Sequence, residues 1–187
     1  MKNLNNHLID EICLIVDPET KVEDKFFKHN KVTIAILKER PRYNDFFLIV
    51  NTHSKPEDIN IISNSDIFFN DSLKLIYGIQ KNQCYALCRW NIDLDNNIAF
   101  FDRRDSQDAW IFKGHISPTI DAGFTLGKPG CDNRIAHEIQ KAGYLVSNPS
   151  LSIQAIHMHN SNVRHFDWDN LDDRIHPPYL LIEPHIL

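Results

Sequence analysis

The sequence contains no apolar run long enough to cross a bilayer. Its longest, such as Ile12-Cys13-Leu14-Ile15-Val16 and Phe46-Phe47-Leu48-Ile49-Val50, are five residues, against the roughly 20 that a spanning helix needs. No signal-peptide pattern opens the chain, so a soluble, cytoplasmic protein without a transmembrane segment is expected. Blocks of Lys and Arg are missing, as is any interleaving of basic and aromatic residues. With a formal net charge of −5 and a pI near 6.0, this excludes nucleic acid as an expected partner. Repeats, low-complexity stretches and Gly/Ser-rich or Pro-rich linkers are absent too. Nothing therefore divides the 187 residues, and one domain over residues 1–187 with one sizeable core is expected. Cysteine is scarce, at four residues. Cys84 and Cys88, if on one strand, lie about 13 Å apart at ~3.3 Å per residue, too far for a disulfide. Pairing of Cys13 with Cys131 stays open, but reduced, mostly buried thiols are expected.

What is present is an alternation of short β-like runs with helical or loop segments, which predicts an α/β fold with a mixed, mostly parallel central sheet. Strands are expected at Ile12–Val16, 32–37, 46–50, 59–62, 85–90, 110–113, Leu145–Ser147 and 152–157. Helix starts are expected at Pro56-Glu57-Asp58 and at Asp71-Ser72, the latter followed by Leu73, Leu75, Ile76 and Ile79 at helical spacing, and a helix over 132–142 closes at Gly143. Pro177-Pro178 reads as a stiff tail that Tyr179-Leu180-Leu181-Ile182 anchors by packing.

Four segments carry chemistry. In the first, an apolar run from Ile59 is interrupted by Asn64-Ser65-Asp66 and resumes at Ile67. Such a triplet at a strand end sets two oxygen-bearing side chains at a sheet edge, where a hard divalent cation can bridge them to a diphosphate. The same residues are also ordinary turn formers. In the second, polar residues from Asp102 to Asp108 give way abruptly to Ala109-Trp110-Ile111-Phe112. Asp105, Gln107 and Asp108 supply acceptors and an amide beside Trp110, whose ring can cover an apolar sugar face. A turn entering a strand has the same composition. The third is Pro129-Gly130-Cys131-Asp132-Asn133, a turn that opens a helix. Asp132 suits the helix start as an N-cap, where the positive helix end keeps its pKa low. The fourth is His157-Met158-His159. Period two puts both imidazoles on one strand face roughly 7 Å apart, so that one can reach a metal while the other contacts phosphate. An imidazole ligand favours Mn²⁺ over Mg²⁺. Both histidines also fit surface or hydrogen-bonded core positions.

The order of these segments, above all Ser106-Gln107-Asp108-Ala109-Trp110-Ile111-Phe112 and Pro129-Gly130-Cys131-Asp132-Asn133, resembles a family of GT-A-type glycosyltransferases found in bacteria and large DNA viruses. The resemblance covers roughly residues 40–184. It implies a single-domain GT-A fold and transfer of a sugar from a nucleotide diphosphate donor, a UDP-sugar, to a glycan or other hydroxyl acceptor with the help of Mn²⁺ or Mg²⁺. Under it, Asp66 is the principal metal ligand, with Asn64 standing where an acid is usual and Ser65 between them, and His157 or His159 supplies a further ligand. A neutral amide adds less metal affinity than a carboxylate, so the cation is expected to bind weakly until the diphosphate brings its own oxygens.

Arg40 looks like the arginine that contacts the nucleotide in such enzymes, a task that suits a forked, stacking guanidinium. Arg42 competes for that role. Asp17, after the first strand, is a candidate for the base or ribose. Asp132 falls where many inverting members carry their base, and inversion rests on it alone. His137 and Glu138 are weaker candidates. Two other readings use the same residues: a metal-dependent phosphoester hydrolase, and a non-catalytic module binding a sugar or nucleotide-sugar.

Overall fold

Two parallel five-residue runs open the chain in the computed structural model, which describes residues 2–93, 95–158 and 173–187. They are β1 (Ile12–Val16) and β2 (Val32–Ile36), registered Ile12 to Val32 and joined through the one-turn helix α1 (Asp24–Phe27). Helix α2 (Tyr43–His53) leads to β3 (Ile59–Ser63) and β4 (Ile67–Phe69), and a 3₁₀ helix over Asp71–Gly78 leads to β5 (Gln83–Leu87). Then follow β6 (Arg89–Ile92), β7 (Ile98–Phe100), β8 (Ala109–Lys113), α3 (Cys131–Lys141), β9 (Leu145–Ser147) and β10 (Ala155–Met158). The architecture is α/β with mixed sheets. The order is β3-β8-β5-β9 in one four-stranded sheet and β4-β10-β6-β7 in the other, beside the β1-β2 pair.

The expectation of one mostly parallel sheet is corrected on two points. The described strands form three sheets, and only three of their seven ladders are parallel: β1-β2, β5-β9 and β6-β10. Two of the four antiparallel ladders belong to β8, which runs against both neighbours and sets Trp110 opposite Ile62 on one side and Ala86 on the other.

Alternation along these strands sorts the core into two layers. Trp110 and Phe112 of β8, with Cys84 and Ala86 of β5, face Tyr43 and Phe47 of α2 and Ile135 and Ile139 of α3. Ala109, Ile111, Tyr85 and Leu87 point the other way, onto Leu73 and Ile76 of the 3₁₀ helix and Ala155 of β10. A fully buried large apolar side chain contributes about 1.5–3 kcal/mol. No residue of β1 or β2 is fully buried, so the two-faced sheet anchors the fold.

The run 46–50, expected as a strand, lies inside α2. Tyr43, Phe46, Phe47 and Val50 recur at i, i+3, i+4 and i+7, the spacing of one helix face. Tyr43 and Phe47 are buried, with Phe46 and Val50 packed beside them, while Leu48 is 67% exposed. Asp45 fixes the helix start by accepting from the Arg42 backbone at 2.8 Å. The expected start at Pro56 is a turn, because Asp58 accepts from the Lys55 backbone at 2.7 Å and turns the chain into β3.

The continuous strand expected over 85–90 breaks at Cys88, whose backbone N–H donates to Ser150 Oγ at 2.8 Å instead of to a neighbouring strand. The chain thereby passes from one four-stranded sheet to the other. Of the expected strand 152–157, only the part from Ala155 is extended, since Ser152 and Ile153 both donate back to the Pro149 carbonyl in a turn. Ile98–Phe100 is a strand that its short run did not announce. The tail anchors as expected, with Ile182 in the core and the Leu180 backbone donating to the Asn133 carbonyl at 2.9 Å. All four cysteines are free; Cys84, Cys88 and Cys131 are buried and Cys13 is exposed. No helix among the described residues is long and apolar enough to cross a membrane.

Candidate functional site

Antiparallel pairing brings the carboxyl ends of β3 and β5 beside the amino end of β8, and there the polar segments meet. In open α/β sheets this is the side on which ligands bind. Asn64 follows β3, Asp108 precedes β8, and Arg89 follows the break after β5. Backbone bonds stitch the three together: Asn64 N–H donates to the Asp108 carbonyl at 3.2 Å, and Asp108 N–H to the Leu87 carbonyl at 2.8 Å. Their side chains converge on one atom. Asp108 Oδ1 accepts from Asn64 Nδ2 at 3.0 Å and from Arg89 Nη1 at 3.4 Å. Asp108 is only 5% exposed, and burial raises its pKa against the opposing charges of Arg89 and His157.

Asp66 stands in the turn between β3 and β4. Because β4 pairs antiparallel with β10, setting Ile67 opposite His157, the turn lies at the end of β10. Asp66 Oδ2 accepts from His157 Nε2 at 2.9 Å, with the aspartate side chain 49% exposed and the histidine buried. Burial works against the Asp66 charge, but the hydrogen bond and charge of His157 more than offset it and hold the carboxyl below its ordinary range.

Asp132 sits in the first turn of α3. Gly130, at φ +81°, opens that helix, so the N-cap role expected of Asp132 falls to the glycine. The carboxyl is therefore available elsewhere: Oδ1 accepts from Tyr43 Oη at 3.5 Å and from Cys131 Sγ at 3.3 Å, and Oδ2 from the Gln107 backbone N–H at 3.4 Å. Burial keeps the tyrosine and the thiol protonated, hence donors. The low pKa expected of a helix start is overturned. Burial, followed by the charge of Asp108, pushes Asp132 up to about 7, and the donors around it oppose that only in part. A carboxyl poised there can accept and release a proton at neutral pH.

The other expected site residues separate. Trp110 is a core residue, 2% exposed with its ring edge-on to Tyr43 at 6.4 Å, so it presents no face to a sugar. Period two explains this: Asp108 lies at the sheet's end, and two residues on the side chain is inside the helix-facing layer. Gln107 is 3% exposed, and its amide donates to the Arg104 carbonyl at 3.1 Å. Asp105 forms a two-pronged pair with Arg103 at 2.6 and 2.8 Å on an exposed stretch. Ser65 is exposed beside Asp66. Glu138 is committed to Arg134 at 2.9 Å and Lys141 at 3.4 Å. His159 lies outside the described residues.

Arg40 packs elsewhere. It lies against Gly127, whose φ of +80° leaves room for the guanidinium where a Cβ would come within 2.9 Å of Nη2. With Leu37, Arg42 and Asp45 it lines an open hollow of about 300 Å³. Its charge also bears on Asp17, whose carboxylate closes a turn with Thr20 and Glu19. Among the described residues no hydrogen bond or ion pair joins the side chains lining this hollow to Asp66, Asp108 or Asp132.

Arg89 was missed from sequence. The signal was a single charge in the otherwise apolar run Tyr85-Ala86-Leu87-Cys88-Arg89-Trp90, marking where a strand leaves the core. No protein-family model matches the chain, and no curated protein or solved structure does either.

Proposed function

We propose that this protein is a glycosyltransferase of GT-A type that moves a sugar from a nucleotide diphosphate donor, a UDP-sugar, to a glycan or other hydroxyl acceptor, with inversion and with Mn²⁺ or Mg²⁺ as cofactor. The observation that carries the reading is that the entry of β8 links two carboxyls of different character: an ionised Asp66, paired with His157 and two residues beyond Asn64, which donates to Asp108, and Asp132, which accepts from the neighbouring Gln107 N–H and is pushed up to about 7. Two carboxyl groups whose environments separate their pKa values have separate tasks.

Asp66 and His157 fit a divalent cation as two adjacent ligands. Asp66 Oδ2 and His157 Nε2, 2.9 Å apart, would hold such a cation together once Nε2 has released the proton it donates to the carboxylate. Among the described residues no three Cys, His, Asp or Glu side chains gather to hold a metal ion, so the remaining oxygens would come largely from the diphosphate. When bound there, the cation offsets charge on the departing diphosphate. Asp132 takes the proton from the acceptor hydroxyl as its oxygen attacks the anomeric carbon, and the bond from that carbon to the diphosphate breaks with its electron pair on the leaving oxygen. Gln107 N–H, Tyr43 and Cys131 hold the carboxyl in place for this. The raised pKa gives it the basicity the step requires.

Calorimetry with UDP and Mn²⁺, together with slow release of UDP from UDP-sugars without acceptor, tests the reading. Heat on mixing, and hydrolysis lost in Asp66→Ala and Asp132→Asn, are the expected results. Binding with no hydrolysis for any UDP-, GDP- or dTDP-sugar would indicate a binding module, and release of phosphate from simple phosphoesters would indicate a hydrolase.

A further inference from the structure

Arg89 has no place in the scheme so far, yet its side chain is held by a ring and two acceptors. It is the first residue of β6, registered opposite Ala155, and Asn91 is registered opposite His157. Paired residues of neighbouring strands point to one face, so Arg89, Asn91 and His157 share the face on which Asp66 meets His157. The guanidinium carbon lies 4.5 Å from the centre of the Phe101 ring, Nε donates to Asn91 Oδ1 at 3.0 Å, and Nη1 donates to Asp108 Oδ1 at 3.4 Å. One ring face and two acceptors therefore fix the plane of the fork. Among the described residues nothing accepts from Nη2, and the side chain keeps 26% of its surface exposed. An arginine whose Nε and Nη1 are held while Nη2 has no acceptor among the described residues is placed to donate from Nη2 to an anionic oxygen.

Two acids already surround this cation: Asp108 directly and Asp66 through its field. Neither accepts from Nη2. The ligand class that answers a cation beside Asp66 and His157 is a phosphate, since its oxygens suit both a guanidinium and a divalent cation that Asp66 and His157 would hold. We propose that Arg89 binds the diphosphate of the donor through Nη2 of its guanidinium and offsets part of the charge left on that group when the sugar–phosphate bond breaks. This rests on the nucleotide-sugar reading, and it puts the diphosphate contact on Arg89 rather than on Arg40. No atom is gained by the protein at Arg89; the electron pair of the broken bond stays on the diphosphate oxygen and the acceptor's proton goes to Asp132.

The test is calorimetric titration of UDP, UMP and uridine, each with Mn²⁺ present, into the wild type, Arg89→Met and Arg89→Lys. A lost charge-assisted contact to the β-phosphate weakens UDP about tenfold or more and leaves uridine unchanged, so the UDP-to-UMP affinity ratio falls toward one in Arg89→Met. Arg89→Lys keeps a charge beside buried Asp108 but lacks the fork, and its ratio falls by a smaller factor. A general structural defect lowers all three affinities together and leaves the ratio alone. An unchanged ratio in the well-folded Arg89→Lys protein, or UDP binding to Arg89→Met as to the wild type, overturns the assignment while the donor reading stands. A wild type that gives no heat with UDP, GDP or dTDP removes the donor reading itself, and the role of Arg89 with it.

Discussion

Replacing Asp132 with asparagine should stabilise the protein at alkaline pH while removing its activity. The argument turns on where the carboxyl keeps its proton. In the unfolded chain it titrates near its ordinary value of 3.8, and in the folded protein near 7. Between those values the folded state holds a proton that the unfolded state has released, so stability is full below about pH 4 and falls as pH rises toward 7. The gap of about 3 units is worth on the order of 4 kcal/mol at ~1.4 kcal/mol per unit.

Asparagine does not titrate, so this loss disappears in the variant. Against that stands the mismatch of its NH₂ with one of the donors now facing Asp132, about 1 kcal/mol. The electrostatic gain wins at pH 8 and roughly cancels at pH 5. Urea unfolding of both proteins at the two pH values is the assay. The difference between them should grow by about 2–3 kcal/mol in favour of Asp132→Asn from pH 5 to pH 8, while sugar transfer falls by about 10²–10⁴. An asparagine variant less stable than the wild type by the same margin at both pH values would refute the reasoning, because it would show a carboxyl of ordinary pKa serving only as a tie between α3 and Gln107.

The acidic limb of kcat/KM should lie near pH 7, with activity falling about tenfold per unit below it, and a pH–rate profile of donor transfer checks this. Asp66→Ala should abolish the Mn²⁺-dependent part of UDP binding, and His157→Ala should weaken it in the same direction; calorimetry with and without Mn²⁺ reads both. Because the Asp66 carboxyl lies below its ordinary range, Asp66 itself should not be the group that limits binding at pH 5. Trp110→Ala should cost about 3–5 kcal/mol in denaturant unfolding, as a core truncation does, with the donor affinity of the folded fraction unchanged.

Much of the fold was legible where local pattern and tertiary setting agree. β1 and β9 end on the residues that their apolar runs mark, and β3 and β8 differ from them by one residue. The run 46–50 was misread because five consecutive apolar residues look the same in a strand and in a helix. The deciding residue, Tyr43, lies outside the run, and counting from it recovers the helix face. The break at Cys88 was not legible, since the group that captures its backbone N–H, Ser150 Oγ, is 62 residues away. Likewise the low pKa assigned to Asp132 followed correctly from a helix start taken alone. Only burial and the approach of Asp108, brought by β8, reverse it.

The segment from Asp105 to Trp110 explains why the site was half legible. As a motif it reads as one carbohydrate-binding unit, five polar or aromatic residues in a row of six. The fold distributes those residues over three environments: Asp105 outside, paired with Arg103; Gln107 and Asp108 at the mouth of β8; Trp110 inside the core. A strand packed on both faces, as β8 is from Ala109 to Phe112, leaves no side chain free along its length, so chemistry can be carried only by the last polar residues before entry and the first after exit. Applied to β8 that rule selects Asp108 and rejects Trp110. Applied to the exit of β5 it selects Arg89, the residue that motif reading passed over, and the two choices are the partners of one ion pair at 3.4 Å.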